Sequence, residues 1–387
     1  MKIVISMDSF KGSLSAMEAG EAARDGILRV YPEAEIEVAA LADGGEGTVR
    51  AIVDVTGGHF EKVKVHDPLG RLITAEYGVI GGMGTVVMEM AEASGLTLLS
   101  EKERNPLETS TFGFGEMIAD AIDKGYRDFV IGIGGSATND GGFGMLRALG
   151  FEFYNREGTP VPLGAKGLRD LSYIKTENAH SVLSECRFTV ACDVKNPLCG
   201  ENGCSAVFGP QKGATPDTVK AMDEWLSRYA VLTEKAVGKD VSLHEGSGAA
   251  GGLGFALLAY LHASLRSGAQ TVMEAVSLEE KIREADILIT GEGRLDRQSF
   301  MGKAPVEAAR IAKKYGKTVI AFSGAVDDSL SDTSDLDERF IDAFFPIVGK
   351  PCSLAEAMDK DWARKNMSRT AEQAFRLWKA AVRTKNC

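Results

Sequence analysis

The first sixty residues switch between two spacings of apolar positions. Lys2 to Met7 is a short, almost continuous apolar run, as expected of a strand buried on both faces. Ser15-x-x-Glu18 has the spacing of a capping box and predicts a helix to about Val30. Glu35 to Ala40 alternates and contains β-branched residues, which predicts a second strand, and Gly44-Gly45-Glu46-Gly47-Thr48 leads into another helix. The order is β-α-β-α. From Phe60 the period becomes two. Val63 and Val65, then Asp67-Pro68-Leu69-Gly70, then Leu72 to Val79, predict a hairpin about a Pro-Gly turn. Antiparallel strands depart from a parallel sheet, so a second domain is expected to start near residue 67.

Further strands are predicted at Thr85–Met90, Phe129–Ile133 and Phe188–Cys192, and helices at 109–124, 140–149, 216–237 and 253–265. The buried-strand pattern returns at Asp286–Thr290 and Thr318–Phe322, with a helix at Ala304–Tyr315 between them. Ser353-x-x-Glu356 is another capping box, and Met367, Ala371, Ala374, Phe375, Trp378 and Val382 form one helical stripe suited to packing on a core. No linker interrupts the chain. The fold class is therefore read as α/β: a Rossmann-like parallel-sheet domain (1–66 and 283–387) interrupted by a larger second α/β domain with antiparallel hairpins (67–282).

Composition narrows the function. The 387 residues are 44% hydrophobic and 26% charged, which excludes a mainly disordered chain. The formal charge of −11 argues against general binding to nucleic acid or an anionic membrane. Gly246–Leu265 is uncharged, but its glycines, serines and His262 make it a Gly-rich loop and buried helix rather than a membrane span. Six cysteines without a CxxC spacing indicate reduced thiols in a cytoplasmic protein.

The 44 glycines concentrate where apolar strands end. Seven segments share this pattern: 8–13 (DSFKGS), 42–48 (ADGGEGT), 134–142 (GGSATNDGG), 192–197 (CDVKNP), 208–213 (FGPQKG), 248–252 (GAAGG) and 290–296 (TGEGRLD). Ligands of open α/β sheets bind beyond the carboxyl ends of strands, where glycine lets backbone N–H groups approach phosphate. One such loop is an ordinary turn; seven, most of them carrying charge, point to a nucleotide or phosphate site. Gly132-x-Gly134-x-x-Ala137 and Gly246-x-Gly248-x-x-Gly251 match the dinucleotide fingerprint only formally, because their flanks lack its strand or its tight helix start. No GxxxxGK[ST], HRD or DFG occurs, which excludes P-loop and protein kinases. Asp43, Glu46, Asp193, Glu292 and Asp296, with Lys11 and Arg294, supply the residue types of Mg-assisted phosphoryl transfer.

These segments, together with GIGGSATNDGGFGMLRALG (132–150), ACDVKNPLCG (191–200), VFGPQKGA (207–214), GAAGGLGFAL (248–257) and TGEGRLDRQSFMGKAP (290–305), closely resemble the bacterial type-1 glycerate kinase family from residue 2 to about 325. Cys204 stands where the family pattern has Ala. The resemblance implies a kinase of D-glycerate, dependent on ATP and Mg²⁺, most simply yielding 2-phosphoglycerate, with its site in an interdomain cleft. A glycerate 3-kinase, a kinase of another small hydroxy acid and a non-catalytic glycerate or nucleotide sensor are the alternatives.

Residue chemistry assigns the roles. Lys11 meets the transferred phosphate. Arg294 forks onto the glycerate carboxylate, with Lys195 and Lys212 in reserve. Asp193 orients or deprotonates the attacking hydroxyl. Asp8, Ser9, Asp43, Arg294 and Asp296 bind substrate, and Asp43 and Glu292 are the candidates for Mg²⁺. Gly134, Gly135, Ser136, Asn139, Asp140, Gly251 and Gly252 are expected to serve the nucleotide. Lys303 is read either as a phosphate contact or as a surface lysine starting a helix.

Overall fold

The computed structural model describes residues 1–10, 12–39, 41, 48–82, 84–297, 299, 303–327 and 340–385. The expected sites Lys11 and Asp43 lie outside these residues. In chain order the elements begin with β1 (Lys2–Ile5), α1 (Ala16–Leu28) and β2 (Glu35–Val38). There follow α2 (Thr48–Thr56), β3 (His59–His66), β4 (Leu72–Val79), β5 (Thr85–Glu89), α3 (Ala91–Ser94), α4 (Phe112–Asp123) and β6 (Asp128–Gly132). Next come α5 (Phe143–Ala148), β7 (Glu152–Tyr154), β8 (Tyr173–Lys175), β9 (Arg187–Ala191), α6 (Cys204–Phe208), α7 (Pro216–Val237) and α8 (Ala249–Tyr260). The chain continues with β10 (Ser264–Arg266), α9 (Gly268–Ala275), α10 (Leu278–Glu284), β11 (Ile287–Leu295) and α11 (Ala304–Lys314). It ends with β12 (Thr318–Val326), β13 (Ala343–Pro346), α12 (Leu354–Ala357) and α13 (Lys360–Lys385).

Two compact units result: Met1–Asp43 with Val272–Cys387, and Gly44–Thr271. The larger second unit thus interrupts the first. These divisions lie earlier than the 66/67 and 282/283 boundaries expected from the sequence. The reason is tertiary: β3 pairs antiparallel with β4 along its whole length, from His59↔Val79 to His66↔Leu72, and α2 packs on β4 and β5. The change of period at Phe60 marks a strand already inside the second unit.

The first unit holds a five-stranded parallel sheet in the order β13-β12-β11-β1-β2. Ser15 closes the expected capping box on Glu18 at the start of α1. On one face α1 and α13 pack together, and Gly26 permits it: a Cβ there would lie 2.0 Å from the Ser368 carbonyl oxygen. Met367, Ala371, Ala374 and Phe375 of the expected stripe are buried in this core with Ile3, Ile5, Ile289 and Phe322. Val382 is exposed, so the buried stripe ends near Trp378.

The second unit holds a six-stranded mixed sheet, β10-β9-β6-β5-β4-β3, antiparallel on the β3–β4–β5 side and parallel beyond it. Its core includes Phe114, Phe129, Phe143, Tyr229 and Phe255. The helix expected over 253–265 stops at Tyr260, and Ser264–Arg266 instead pairs with β9. No helix among the described residues is long and apolar enough to cross a membrane.

Candidate active site

In the first unit the chain order of the sheet is 2-1-3-4-5 when its strands are renumbered within that unit. The connections leave the first strand in opposite directions, which opens a crevice at the carboxyl ends of β1 and β11. Backbone bonds tie the two segments together there, from Ser6 N to Ile289 O (2.7 Å) and from Asp8 N to Gly291 O (2.9 Å). Segment 291–295, expected as a loop, instead continues β11 and pairs with β12 from Gly291↔Phe322 to Leu295↔Val326. Gly291 allows this close approach, since a Cβ would lie 2.0 Å from Phe322 O.

A cavity of about 580 Å³ opens at this edge. Asp8, Ser9, Glu292, Arg294, Asp296 and Lys303 line it, so six of the expected or considered side chains meet in one pocket. Glu292 is the most unusual of them. It is only 6% exposed, and its Oε1 is buried with no hydrogen-bond partner among the described residues. Lys303 Nζ stands 3.4 Å from Glu292 Oε2 and 3.8 Å from Asp296 Oδ1. Burial pushes the Glu292 pKa above the usual carboxylate range, while Ser299 and Lys303 pull the other way.

The remaining polar groups are partly committed. Asp8 is buried and accepts from Ser9 N at 2.6 Å. Asp296 and Ser299 close a reciprocal turn: Asp296 N donates to Ser299 Oγ (3.0 Å) and Ser299 N to Asp296 Oδ1 (3.1 Å). The exposed Arg294 guanidinium is paired with Asp327, which raises its pKa through that hydrogen bond and charge. Arg294 therefore lines the pocket already engaged. Lys303 is the N-cap of α11, so it resolves as a pocket lysine at the positive end of an eleven-residue helix.

The other expected residues belong to the second unit. Asp193 Oδ1 accepts from Gly268 N, 3.0 Å away, at the start of α9. Lys195 is exposed and pairs with Glu245 at 3.3 Å. Gly134 and Gly135 are exposed. Asp140 is wholly buried and accepts from Thr111 N (2.9 Å), Thr111 Oγ1 and Gly142 N (3.1 Å). Asn139 Nδ2 donates to Ser205 Oγ at 2.8 Å. A Cβ on Gly251 would lie 2.0 Å from Thr138 O, and one on Gly252 2.8 Å from Gly141 Cα. These four residues make the contact between segment 138–142 and the start of α8. Lys212 is buried beneath the same segment and donates to Ser136 Oγ (2.8 Å) and Thr138 O (2.6 Å).

Sequence reasoning missed the apolar lining of the pocket: Ala325, Ile347, Val348, Leu354, Ala357 and Met358. Ser323-Gly324-Ala325 follows an apolar strand just as the seven chosen segments do, and was the available signal. The rest are apolar and carry none. Among the described residues no group of three or more His, Cys, Asp or Glu is placed to hold a metal ion. The five described cysteines are free thiols.

Comparison with known proteins agrees with the resemblance. A family model described as the glycerate kinase family matches residues 3–379. A "Glycerate kinase" of Bacillus subtilis (strain 168) is 46% identical over 371 residues, covering 96% of each chain. The "Glycerate 2-kinase" of Escherichia coli (strain K12) is 44% identical over 357 residues, covering 92% of this chain and 93% of that one. A crystal structure from Salmonella typhimurium LT2, provisionally named glycerate kinase 2, superimposes with a TM-score of 0.90 at 43% identity, covering 99% of both chains. A chain matched along nearly its whole length at this identity belongs to the glycerate kinase family.

Proposed function

We propose that this enzyme transfers the terminal phosphoryl group of ATP to the 2-hydroxyl of D-glycerate, with the chemistry at the charged end of the first-unit pocket. The observation that carries the reading is Glu292, a buried carboxylate at the β1–β11 crevice with one oxygen that has no partner among the described residues, beside Lys303 and a helix N-terminus. The product assignment follows the name of the Escherichia coli relative.

The residues fit Mg²⁺ arriving with the nucleotide. Mg²⁺ is usually held by one or two carboxylates together with substrate phosphates rather than by an all-protein cage. Glu292 offers one such carboxylate. When bound, the ion neutralises phosphate charge. Lys303 and the α11 N-terminus stabilise negative charge on the transferring group. Ser9 and Asp296 donate to and accept from glycerate, and Arg294 offers its remaining N–H groups to the carboxylate. Two roles rest on residue chemistry alone: Asp193 orients the attacking hydroxyl or takes its proton, and Lys11 meets phosphate. In the transfer, the bond from the terminal phosphorus to the ADP oxygen breaks, and a bond to the glycerate oxygen forms. Asp43 is proposed with Glu292 for the metal.

The test incubates the protein with ATP, Mg²⁺ and D-glycerate, follows ADP, and identifies the product by phosphorus NMR. Glycerate-dependent ADP and 2-phosphoglycerate support the reading. The 3-phosphate would move the reaction to the other hydroxyl. Greater turnover of lactate or glycolate would replace the substrate, and absence of turnover would leave a sensor.

A further inference from the structure

We propose that the apolar end of the first-unit pocket receives the adenine base of the nucleotide, so that the base is bound by the parallel-sheet unit and not by segments 134–142 and 248–252. The inference rests on the reading that phosphoryl transfer occurs at the charged end of the same pocket.

The cavity lining falls into two chemically distinct sets. Asp8, Glu292, Asp296 and Lys303 follow or end β1 and β11. Ile347 and Val348 follow β13, and Leu354, Ala357 and Met358 belong to α12 or cap it, with Met358 reaching back to the loop after β1. Glycerate has three carbons and four oxygens and offers nothing for an aliphatic wall. About 580 Å³ is also more room than it needs, and falls within the usual range for nucleotide-sized ligands. The second substrate does have an apolar part, the flat base, at the end remote from its terminal phosphate. β11 and β13 are two strand spacings apart, roughly 10 Å. An extended nucleotide with its phosphates at the β1–β11 crevice therefore runs over β12 towards β13.

Two observations hold the wall in place. The Met358 methyl group sits where a Cβ on Gly12 would be, 2.0 Å from that position, and Gly12 has a φ of +82°. The turn before α1 is thus shaped to seat Met358, whose flexible thioether suits either face of a flat ring. Ser353 closes a capping box on Glu356, which fixes the start of α12 beside it. In the second unit Gly251 and Gly252 offer no such opening, since the backbone of segment 138–141 already fills it, and the exposed Gly134 and Gly135 have no apolar wall beside them in this pocket.

The test compares ADP with tripolyphosphate, which has phosphates but no base, by calorimetry in Mg²⁺ on the full-length protein. Ala357→Trp places a ring in the apolar end. The proposal expects ADP to weaken about tenfold or more, the equivalent of one good apolar contact, with tripolyphosphate changed by less than about twofold. Met358→Ala only removes wall atoms, so it keeps the test alive if the larger substitution does not fold, and should weaken ADP selectively by about threefold. Equal weakening of both ligands, or of neither, in a folded variant overturns the proposal. Because binding is read without glycerate, this failure is separable from failure of the catalytic reading, which the turnover of a Glu292→Gln variant reports.

Discussion

Lys212 offers a quantitative check on how the second unit is built. Its side chain is 2% exposed, yet it keeps an ammonium group against Ser136 Oγ and Thr138 O. Burial pushes its pKa down from 10.5 to about 8, against the opposing influence of Cys204 and Asp140. That displacement corresponds to a cost of roughly 3 kcal/mol for holding the charge inside. The sign follows from proton binding. Below about pH 8 both folded and unfolded chains hold the proton, and the full cost is present. Between there and 10.5 the unfolded chain holds more protons, so stability rises with pH until the cost is gone. Lys212→Met removes the charge, but leaves the Ser136 hydroxyl and the Thr138 carbonyl without their donor, at about 1–3 kcal/mol each. At pH 7 the gain and the losses nearly cancel, so parent and variant should be similarly stable. At pH 10.5 the variant should be less stable by roughly 3 kcal/mol, because only the parent has gained. Urea unfolding of both proteins at the two pH values measures this, and all other titrations cancel in the difference. Parallel pH profiles for parent and variant would refute the buried-charge account.

Two other substitutions separate catalytic from structural roles. Asp193→Asn keeps an oxygen to accept from Gly268 N, so a capping role predicts near-parental turnover, whereas the proposed role at the hydroxyl predicts a loss of about 10²–10⁴-fold in kcat in a protein of unchanged Tm. Lys11→Met should lower kcat/KM by about two orders of magnitude with little change in thermal stability, and Lys11→Arg should rescue only in part; parental kinetics would make Lys11 an ordinary loop lysine.

Local signals were legible in the sequence. The capping boxes at Ser15 and Ser353 form as spaced, the hairpin turns at Asp67–Gly70, and the C-terminal stripe buries from Met367 to Phe375, short of Val382. What failed depended on partners distant in sequence. Gly291–Leu295 has a loop's composition, yet it is strand because β12 runs beside it. The sequence does not show that Asp140, a candidate because it is charged and follows glycines, also accepts from Thr111 and Gly142 within the fold. Asp8, Glu292 and Lys303 are each legible as candidates. That they share a pocket follows from β1 and β11 being neighbours, through pairs such as Ile3↔Ile287 that are distant in the chain. The apolar wall from Ile347 to Met358 has no chemistry that marks it, and only the strand order brings it to the site.

The central claim is that the Glu292 carboxylate at the β1–β11 crevice takes part in phosphoryl transfer. Steady-state kinetics of Glu292→Gln, with ATP and D-glycerate both saturating and Mg²⁺ titrated, tests it most directly. Glutamine keeps the size and loses the charge. The account predicts a kcat lower by about 10²-fold or more and a higher Mg²⁺ requirement, in a protein that unfolds at or above the parental temperature because a buried charge has been removed. A folded variant with kcat within about threefold of the parent and an unchanged Mg²⁺ titration would contradict it.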